Sequence, residues 1–416
     1  MFKAIFIDRD GVLVKDPGYV HKLEEFELYP DAITALQLIS EHKLIIINSQ
    51  PGIAKKIHNT EDSEKFNRHL CNVLASSGIA LAGIYVCPHH PSVSKCDCRK
   101  PKPGLLVTAA ENLDIDLQNS WMIGDKRSDI KAGVAAGCRT ILVKTGFGGE
   151  GGDTDLDAKP DFVVENLLEA ATIIRNSEIT AVIVAGGRGT RLAPLTDTVP
   201  KPMLDVCGKP ILLWQVELLK KYGLRNFVFC THYLHDVIEN FFGDGSRFGV
   251  RINYCREQTP LGTGGAILNA AKFLSEDFIL LAGDIITNFN VQELINLHKG
   301  KKAIATAVCR VSDHPEDSDL LELDFDNKIL KFHEKKTSGE KFTKLGNTGH
   351  FMLNKNVLDF LLPGQSNLEK DCLTRVINRG QAFAYVLNKG YIKDVGTPER
   401  LEQVKQDFEK WRPEKV

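Results

Sequence analysis

The chain has 416 residues, 43% hydrophobic and 25% charged, with 52 Lys+Arg against 54 Asp+Glu and a formal net charge of −2. That length suits two or three domains and that composition a soluble globular protein. The balanced charge offers no bulk attraction for nucleic acid or an anionic membrane, and no apolar run approaches the ~20 residues of a membrane-spanning helix.

The opening segment MFKAIFIDRDGVL is interrupted by Asp8, Arg9 and Asp10, so it reads as a strand rather than a signal peptide. The protein is therefore expected to be cytoplasmic, with its ten cysteines reduced or bound to metal. Apolar strands at 3–8, 43–48, 83–87, 120–125 and 139–145 alternate with stretches of helical spacing such as 31–42 and 128–137. This rhythm predicts an α/β fold, a mainly parallel sheet wrapped by helices. A Gly-rich loop at 146–161 and a strand plus helix at 162–176 close a first domain, 1–176. The second domain, 177–416, restarts with ITAVIVAGGRGTRL (179–192), a strand running into a Gly-rich turn. RNFVFCTHY, FILLAGDII and KAIATAVCRV keep the α/β rhythm. The tail carries no hexapeptide repeat, so no C-terminal parallel β-helix is expected.

Three constellations carry chemistry. In the first, Asp8 and Asp10 stand where an apolar strand ends, the place where open α/β sheets bind ligands. Asp125 and Asp129 stand at the end of another strand in MIGDKRSD, and Lys100 lies between in CRKPKPG. A lone Asp-x-Asp could merely cap a loop. With the lysine and the second carboxylate segment the set suits phosphoryl transfer to a carboxylate: one aspartate attacks phosphorus, a second protonates the leaving oxygen and then activates water, Mg²⁺ offsets the charge repulsion, and lysine neutralises phosphoryl oxygens.

FIDRDGVL, PGYVHKLEEFELYPDA, CPHHP, CDCRKPKPG and MIGDKRSDIKAG resemble the haloacid-dehalogenase superfamily of phosphatases, and more narrowly the heptose-1,7-bisphosphate 7-phosphatases and histidinol-phosphatases, over about residues 1–175. The resemblance implies Asp8 as nucleophile and Mg²⁺ ligand, and Asp10 as acid/base with its carbonyl on the metal. It implies Asp125 as the other Mg²⁺ ligand, Lys100 as the phosphate lysine and Arg99 as a substrate contact. Where that family has Thr-Asn-Gln-Ser-Gly-Ile, this chain has Asn48-Ser49-Gln50-Pro51-Gly52-Ile53. The expected hydroxyl donor is an amide, leaving Asn48 or Ser49 to meet the phosphate.

In the second constellation, Cys87-Pro88-His89 is followed by Cys96-Asp97-Cys98. Three thiols and an imidazole supply the four N/S ligands of a structural Zn²⁺. His90 is an alternative to His89, which the family's Cys-x-His pattern favours. The remaining cysteines lie singly in apolar stretches and read as core thiols.

The third is VAGGRGTRLAPLTDTVPKPM (184–203). Gly186, Gly187 and Gly189 follow a strand, so backbone amides can approach phosphate closely. Neither a Walker A lysine nor a dinucleotide fingerprint is present. Arg191 offers a permanently charged fork, and Lys201 a second cation between two prolines. With EQTPLGTGGAI, LAGD, FHEK, LGNTGHFML and DVGTPERL, this string resembles the sugar-1-phosphate nucleotidyltransferases over about residues 179–411, heptose- and mannose-1-phosphate guanylyltransferases in particular. The resemblance implies Gly186, Gly187, Gly189, Thr190 and Arg191 on the triphosphate and Lys201 on the reacting phosphates. It implies Glu257, Gly262 and Thr263 around the base, and Asp284 and Asp394 on Mg²⁺. Glu334 and Asn347 would contact the sugar, and Lys335 its phosphate. Both resemblances imply Rossmann-like, three-layer α/β/α domains. Together they imply an enzyme that removes the 7-phosphate of a sugar bisphosphate and joins the remaining sugar-1-phosphate to a nucleotide from an NTP, GTP by resemblance. A mannose-specific transferase with an unrelated or inactive phosphatase domain is the alternative.

Overall fold

The computed structural model describes residues 1–148, 158–312, 315–334 and 343–410. Part of the Gly-rich stretch 146–161 lies outside them, as does Lys335. The chain divides into two compact units, Met1–Arg175 and Asn176–Val416.

The first unit is built on six parallel strands: β1 (Ala4–Ile7), β2 (Lys43–Ser49), β3 (Leu81–Cys87), β4 (Trp121–Gly124), β5 (Arg139–Val143) and β6 (Phe162–Val164), ordered β3-β2-β1-β4-β5-β6. All four residues of β1 are buried, as a strand covered on both faces by helices requires. Alternation sends Ile5 and Ile7 into a core with Ile46, Phe66, Leu70 and Trp121, and Ala4 and Phe6 into a second core with Ile45, Ile47, Leu106 and Met122. The strand order reverses at β1, so the carboxyl ends of β2, β1 and β4 open one crevice.

The second unit has a nine-stranded sheet. Its main path runs Arg251–Arg256, Asn226–Thr231, Thr180–Val184, Asp277–Ala282, Leu345–Asn354, Ala305–Val311, Ala382–Val386. The sheet is mixed: Leu345–Asn354 runs antiparallel to both its neighbours, while Thr180–Val184 is parallel to both of its own. Alternation again divides the core, with Val182, Leu280 and Phe351 on one face and Ile183, Leu281 and Met352 on the other. A two-stranded ribbon, Ile285–Asn288 against Tyr391–Asp394, carries the sequence-predicted site residues Asp284 and Asp394 at its end. Among the described residues no helix is long and apolar enough to cross a membrane.

Candidate active sites

Asp8 follows β1, and its amide donates to the Ile123 carbonyl of β4 (2.9 Å), which fixes the chain as it leaves the sheet. The Lys100 ammonium lies 2.8 Å from Asp8 Oδ1 and 2.6 Å from Asp129 Oδ1, and donates to the Ile47 carbonyl at 3.0 Å. Burial works against the charge on Lys100, but the carboxylates of Asp129 and Asp8 outweigh it and hold the lysine above its ordinary pKa. Asp125, on the turn after β4, is pushed up to about 7 by burial and the nearby charge of Asp8. Oxygens of Asp8, Asp125 and Asp129 fall within 4.8 Å of one another, a hard-oxygen donor set suited to Mg²⁺. Gly11 (φ +94°) lets the loop close over this cluster: a Cβ there would stand 2.2 Å from Asp125 Oδ2.

The changed Asn48-Ser49 segment is at the same crevice. Asn48 Nδ2 and Ser49 Oγ are buried and have no hydrogen-bond partner. Burying an unpaired donor is costly, so both are positioned for an acceptor such as a phosphoryl oxygen. Arg99 donates to the His89 carbonyl (3.3 Å), which ties it to the cysteine loop.

That loop brings its four predicted ligands together. Cys87 Sγ lies 3.2 Å from Cys98 Sγ and 3.8 Å from Cys96 Sγ, while His89 Nδ1 lies 3.3 Å from Cys98 Sγ and 3.7 Å from Cys87 Sγ. A tetrahedron with Zn–S near 2.3 Å has edges of roughly 3.5–3.8 Å, so the set fits zinc. The His90 ring instead contacts Ser92. All ten cysteines are free thiols.

Two residues that sequence reasoning missed complete this site. Arg9 is fully buried between the two aspartates and grips the Asp10 carboxylate through Nε (2.6 Å) and Nη2 (3.0 Å). Gln50 Nε2 donates to Asp10 Oδ2 at 2.7 Å. Asp129 was visible from its spacing after Asp125 but had no assigned part. The structure makes it the second carboxylate on Lys100.

In the second unit, Gly187, Lys201, Thr263 and Asp284 line one cavity of about 190 Å³. A Cβ on Gly187 would meet nothing within 4 Å, so the space beside this backbone is open for a ligand. Thr190 and Arg191 form a single 3₁₀ turn anchored by the buried Leu192. Gly186 faces His232 and Glu257, and Glu257 accepts from the Leu261 amide (3.1 Å). Gly189 packs on Lys201 and Thr196.

Three further features bear on the remaining expectations. Asp394 lies opposite Ile285, one residue out of step with Asp284, and lines a separate cavity of about 540 Å³ with Arg191, Arg310, Asn347 and Arg400. Each carboxylate has its own cation: Asp284 pairs with Lys201, and Asp394 accepts from Arg400 at 2.6 Å. Second, Gly262 and Thr263 also pack against segment 366–369. Gly262 has φ +73°, and a Cβ there would stand 2.5 Å from the Ser366 carbonyl oxygen. The Thr263 hydroxyl donates to Glu369 (3.0 Å) and accepts from the Leu368 amide (2.8 Å). Segment 366–369 thus clamps the loop that sequence assigns to the base. Third, Glu334 is engaged by Lys370 (2.7 Å).

Comparison with known proteins finds relatives of both units. The nucleotidyl transferase family model matches residues 180–410, and a HAD-hydrolase-like model matches residues 97–170. The D-glycero-beta-D-manno-heptose-1,7-bisphosphate 7-phosphatase of Pasteurella multocida is 42% identical over 154 residues, 35% of this chain and 84% of that protein. The mannose-1-phosphate guanylyltransferase of Mycobacterium tuberculosis is 32% identical over 226 residues, 53% of this chain; the match spans 62% of that relative's length. A crystal structure of a putative glucose-1-phosphate thymidylyltransferase from Bacillus anthracis shares the fold at TM-score 0.51 and 24% identity, over 55% of this chain and 94% of that one. The fold, the two sites and these relatives define an enzyme with a phosphatase unit followed by a nucleotidyltransferase unit. The chain belongs to the nucleotidyl transferase family through residues 180–410 and, through its first unit, to the family of heptose-bisphosphate phosphatases.

Proposed function

We propose that the first unit removes the 7-phosphate of a D-glycero-D-manno-heptose 1,7-bisphosphate and that the second transfers GMP from GTP to the resulting heptose 1-phosphate, releasing pyrophosphate. One observation carries this reading: a unit 42% identical to a heptose-bisphosphate 7-phosphatase precedes, in the same chain, a unit of the sugar-nucleotidyltransferase kind. The anomeric phosphate that the first must spare is the nucleophile that the second needs.

In the first site an Asp8 oxygen attacks phosphorus, the bond from phosphorus to the sugar oxygen breaks, and Asp10 gives that oxygen a proton. Water then attacks the aspartyl phosphate, Asp10 takes its proton, and phosphate leaves with Asp8 regenerated. Lys100 orients Asp8 and neutralises charge, while Asn48 and Ser49 donate to phosphoryl oxygens. Asp8, Asp125 and the Asp10 carbonyl would hold Mg²⁺, which would offset negative charge on the transferring phosphoryl group. Zinc on Cys87, His89, Cys96 and Cys98 anchors the loop carrying Arg99 and Lys100.

In the second site a sugar-phosphate oxygen attacks the α-phosphorus of GTP and the bond to the bridging oxygen breaks. Gly187 and its neighbours receive the triphosphate, Lys201 meets the reacting phosphates, and Glu257 frames the base. Arg191 and Asn347 line the adjoining cavity, suited to the sugar phosphate. Ten free cysteines favour a reducing, cytoplasmic setting.

A second reading, transfer to mannose 1-phosphate, is favoured by the guanylyltransferase named among the relatives of the second unit. Separated assays test the assignment of sites. Asp8→Asn is expected to abolish phosphate release while leaving nucleotidyl transfer to a supplied sugar-1-phosphate intact, and Lys201→Met the reverse. Loss of both activities in either variant overturns two independent sites.

A further inference from the structure

We propose that Arg9 is a positioning residue of the phosphatase unit, whose guanidinium aims the Asp10 carboxylate at the oxygen entering or leaving phosphorus. This rests on the phosphatase reading above. Arg9 has no exposed surface, and its donors go four ways. Nε donates to Asp10 Oδ1 and Nη2 to Asp10 Oδ2, a bidentate fork at 2.6 and 3.0 Å. Nη2 also reaches the Val20 carbonyl at 3.2 Å, and Nη1 donates to Asn67 Oδ1 at 2.8 Å. The guanidinium carbon stands 4.4 Å from the centre of the Phe66 ring. Phe66 and Asn67 belong to the long helix Thr60–Ser76, whose N-terminus Asn59 caps through a side-chain bond to the Asp62 amide.

A buried cation with a planar fork cannot rotate freely, so Asp10 inherits the position of that helix and of the Val20 loop. Asp10 itself sits on a turn beyond β1, where the backbone alone would leave its side chain several rotamers. Gln50 closes the remaining side at 2.7 Å. Arg9 lies one residue from the nucleophile but directs its donors to Asp10, the Val20 carbonyl and Asn67. Its loss should therefore impair proton transfer and spare attack by Asp8.

Leaving groups separate these effects. A sugar alkoxide needs a proton from Asp10 to depart; p-nitrophenolate does not. Hydrolysis of the aspartyl phosphate needs Asp10 as base whatever the leaving group. Positioned acid–base groups contribute about 10²–10⁴-fold. Arg9→Met in the full chain is expected to lower turnover of a sugar bisphosphate about 100-fold with KM nearly unchanged. With p-nitrophenyl phosphate it should give a burst of nitrophenolate near one equivalent per chain, followed by turnover about 100-fold slower than wild type. Asn67→Ala, which removes one outer contact of the fork, should give the same pattern at about 3–10-fold. Arg9→Lys, with charge but no fork, should recover only part of the loss.

A burst amplitude that falls in step with the steady rate would mean loss of folded sites and would overturn the proposal. So would equal slowing of burst and steady phases, or full recovery in Arg9→Lys. A wild-type chain that releases no phosphate from either substrate would refute the phosphatase reading itself, an outcome distinct from all of these.

Discussion

Lys100→Met should be the most informative single change in the first unit. The side chains of Lys100, Asp8 and Asp129 are 4%, 5% and 0% exposed, and the ammonium is the charge shared between both carboxylates. Removing one partner of a buried ion pair leaves charge uncompensated and costs about 3–5 kcal/mol. Methionine keeps most of the volume, so cavity formation adds little. Without the ammonium, Asp129, whose carboxyl burial already holds above the ordinary carboxylate range, becomes harder still to ionise, and its folded pKa moves further above the unfolded one. The folded state then binds more protons than the unfolded state between those values, so the variant loses stability as pH rises through that window. The loss should be near its full value at pH 8 and smaller at pH 5. Trp121 is the tryptophan of this unit and reports its unfolding. With a urea slope of roughly 2 kcal/mol/M, the first-unit midpoint should drop by about 2 M at pH 8. Adding Asp129→Asn should restore part of that stability and none of the phosphatase activity. A Lys100→Met chain with an unchanged midpoint at pH 8, or with wild-type phosphate release, would refute the reasoning.

Other consequences reach the remaining parts of the molecule. Elemental analysis is expected to find one zinc per chain, and Cys98→Ala should abolish it and weaken the phosphatase, with nucleotidyl transfer spared; a zinc-free protein with full phosphatase activity would contradict the assignment. His350 is fully buried and burial lowers its pKa to about 4 from an ordinary 6.5. Its unfolded form takes a proton first on acidification, so the second unit should lose stability between pH 6.5 and 4, by at most about 3 kcal/mol, and His350→Gln should flatten that part of the profile in chemical denaturation. Gly262→Ala should raise the KM for NTP by about tenfold, on the order of 1.4 kcal/mol, because its Cβ would collide with the Ser366 carbonyl and shift the loop; steady-state kinetics with sugar-1-phosphate saturating would register it.

Strands ending in chemistry-bearing residues were legible from sequence. The apolar runs before Asp8 and Asp125 became β1 and β4, and the Cys/His spacing closed into one four-residue cluster. Local spacing carries that information because each feature lies within about a dozen residues. Partners far apart in the chain were not legible. Nothing in FIDRDG says that Arg9 turns inward to Phe66 and Asn67 on a helix more than fifty residues away. The glycines of LGTGG read by resemblance as a base loop; that Gly262 also passes close to the Ser366 carbonyl, about a hundred residues on, was not legible. That Asp394 pairs with Ile285 was likewise not legible, because strand register is set by tertiary pairing rather than by either segment alone.

The central claim is that the first unit makes the substrate of the second. Phosphorus NMR of the wild-type chain with heptose 1,7-bisphosphate, each anomer separately, GTP and Mg²⁺ tests it most directly. The expected products are orthophosphate from position 7, pyrophosphate and a GDP-heptose, formed well from one anomer only because in-line geometry fixes the attacking oxygen. Release of the anomeric phosphate, or nucleotide transfer to mannose 1-phosphate but not to heptose 1-phosphate, would contradict it.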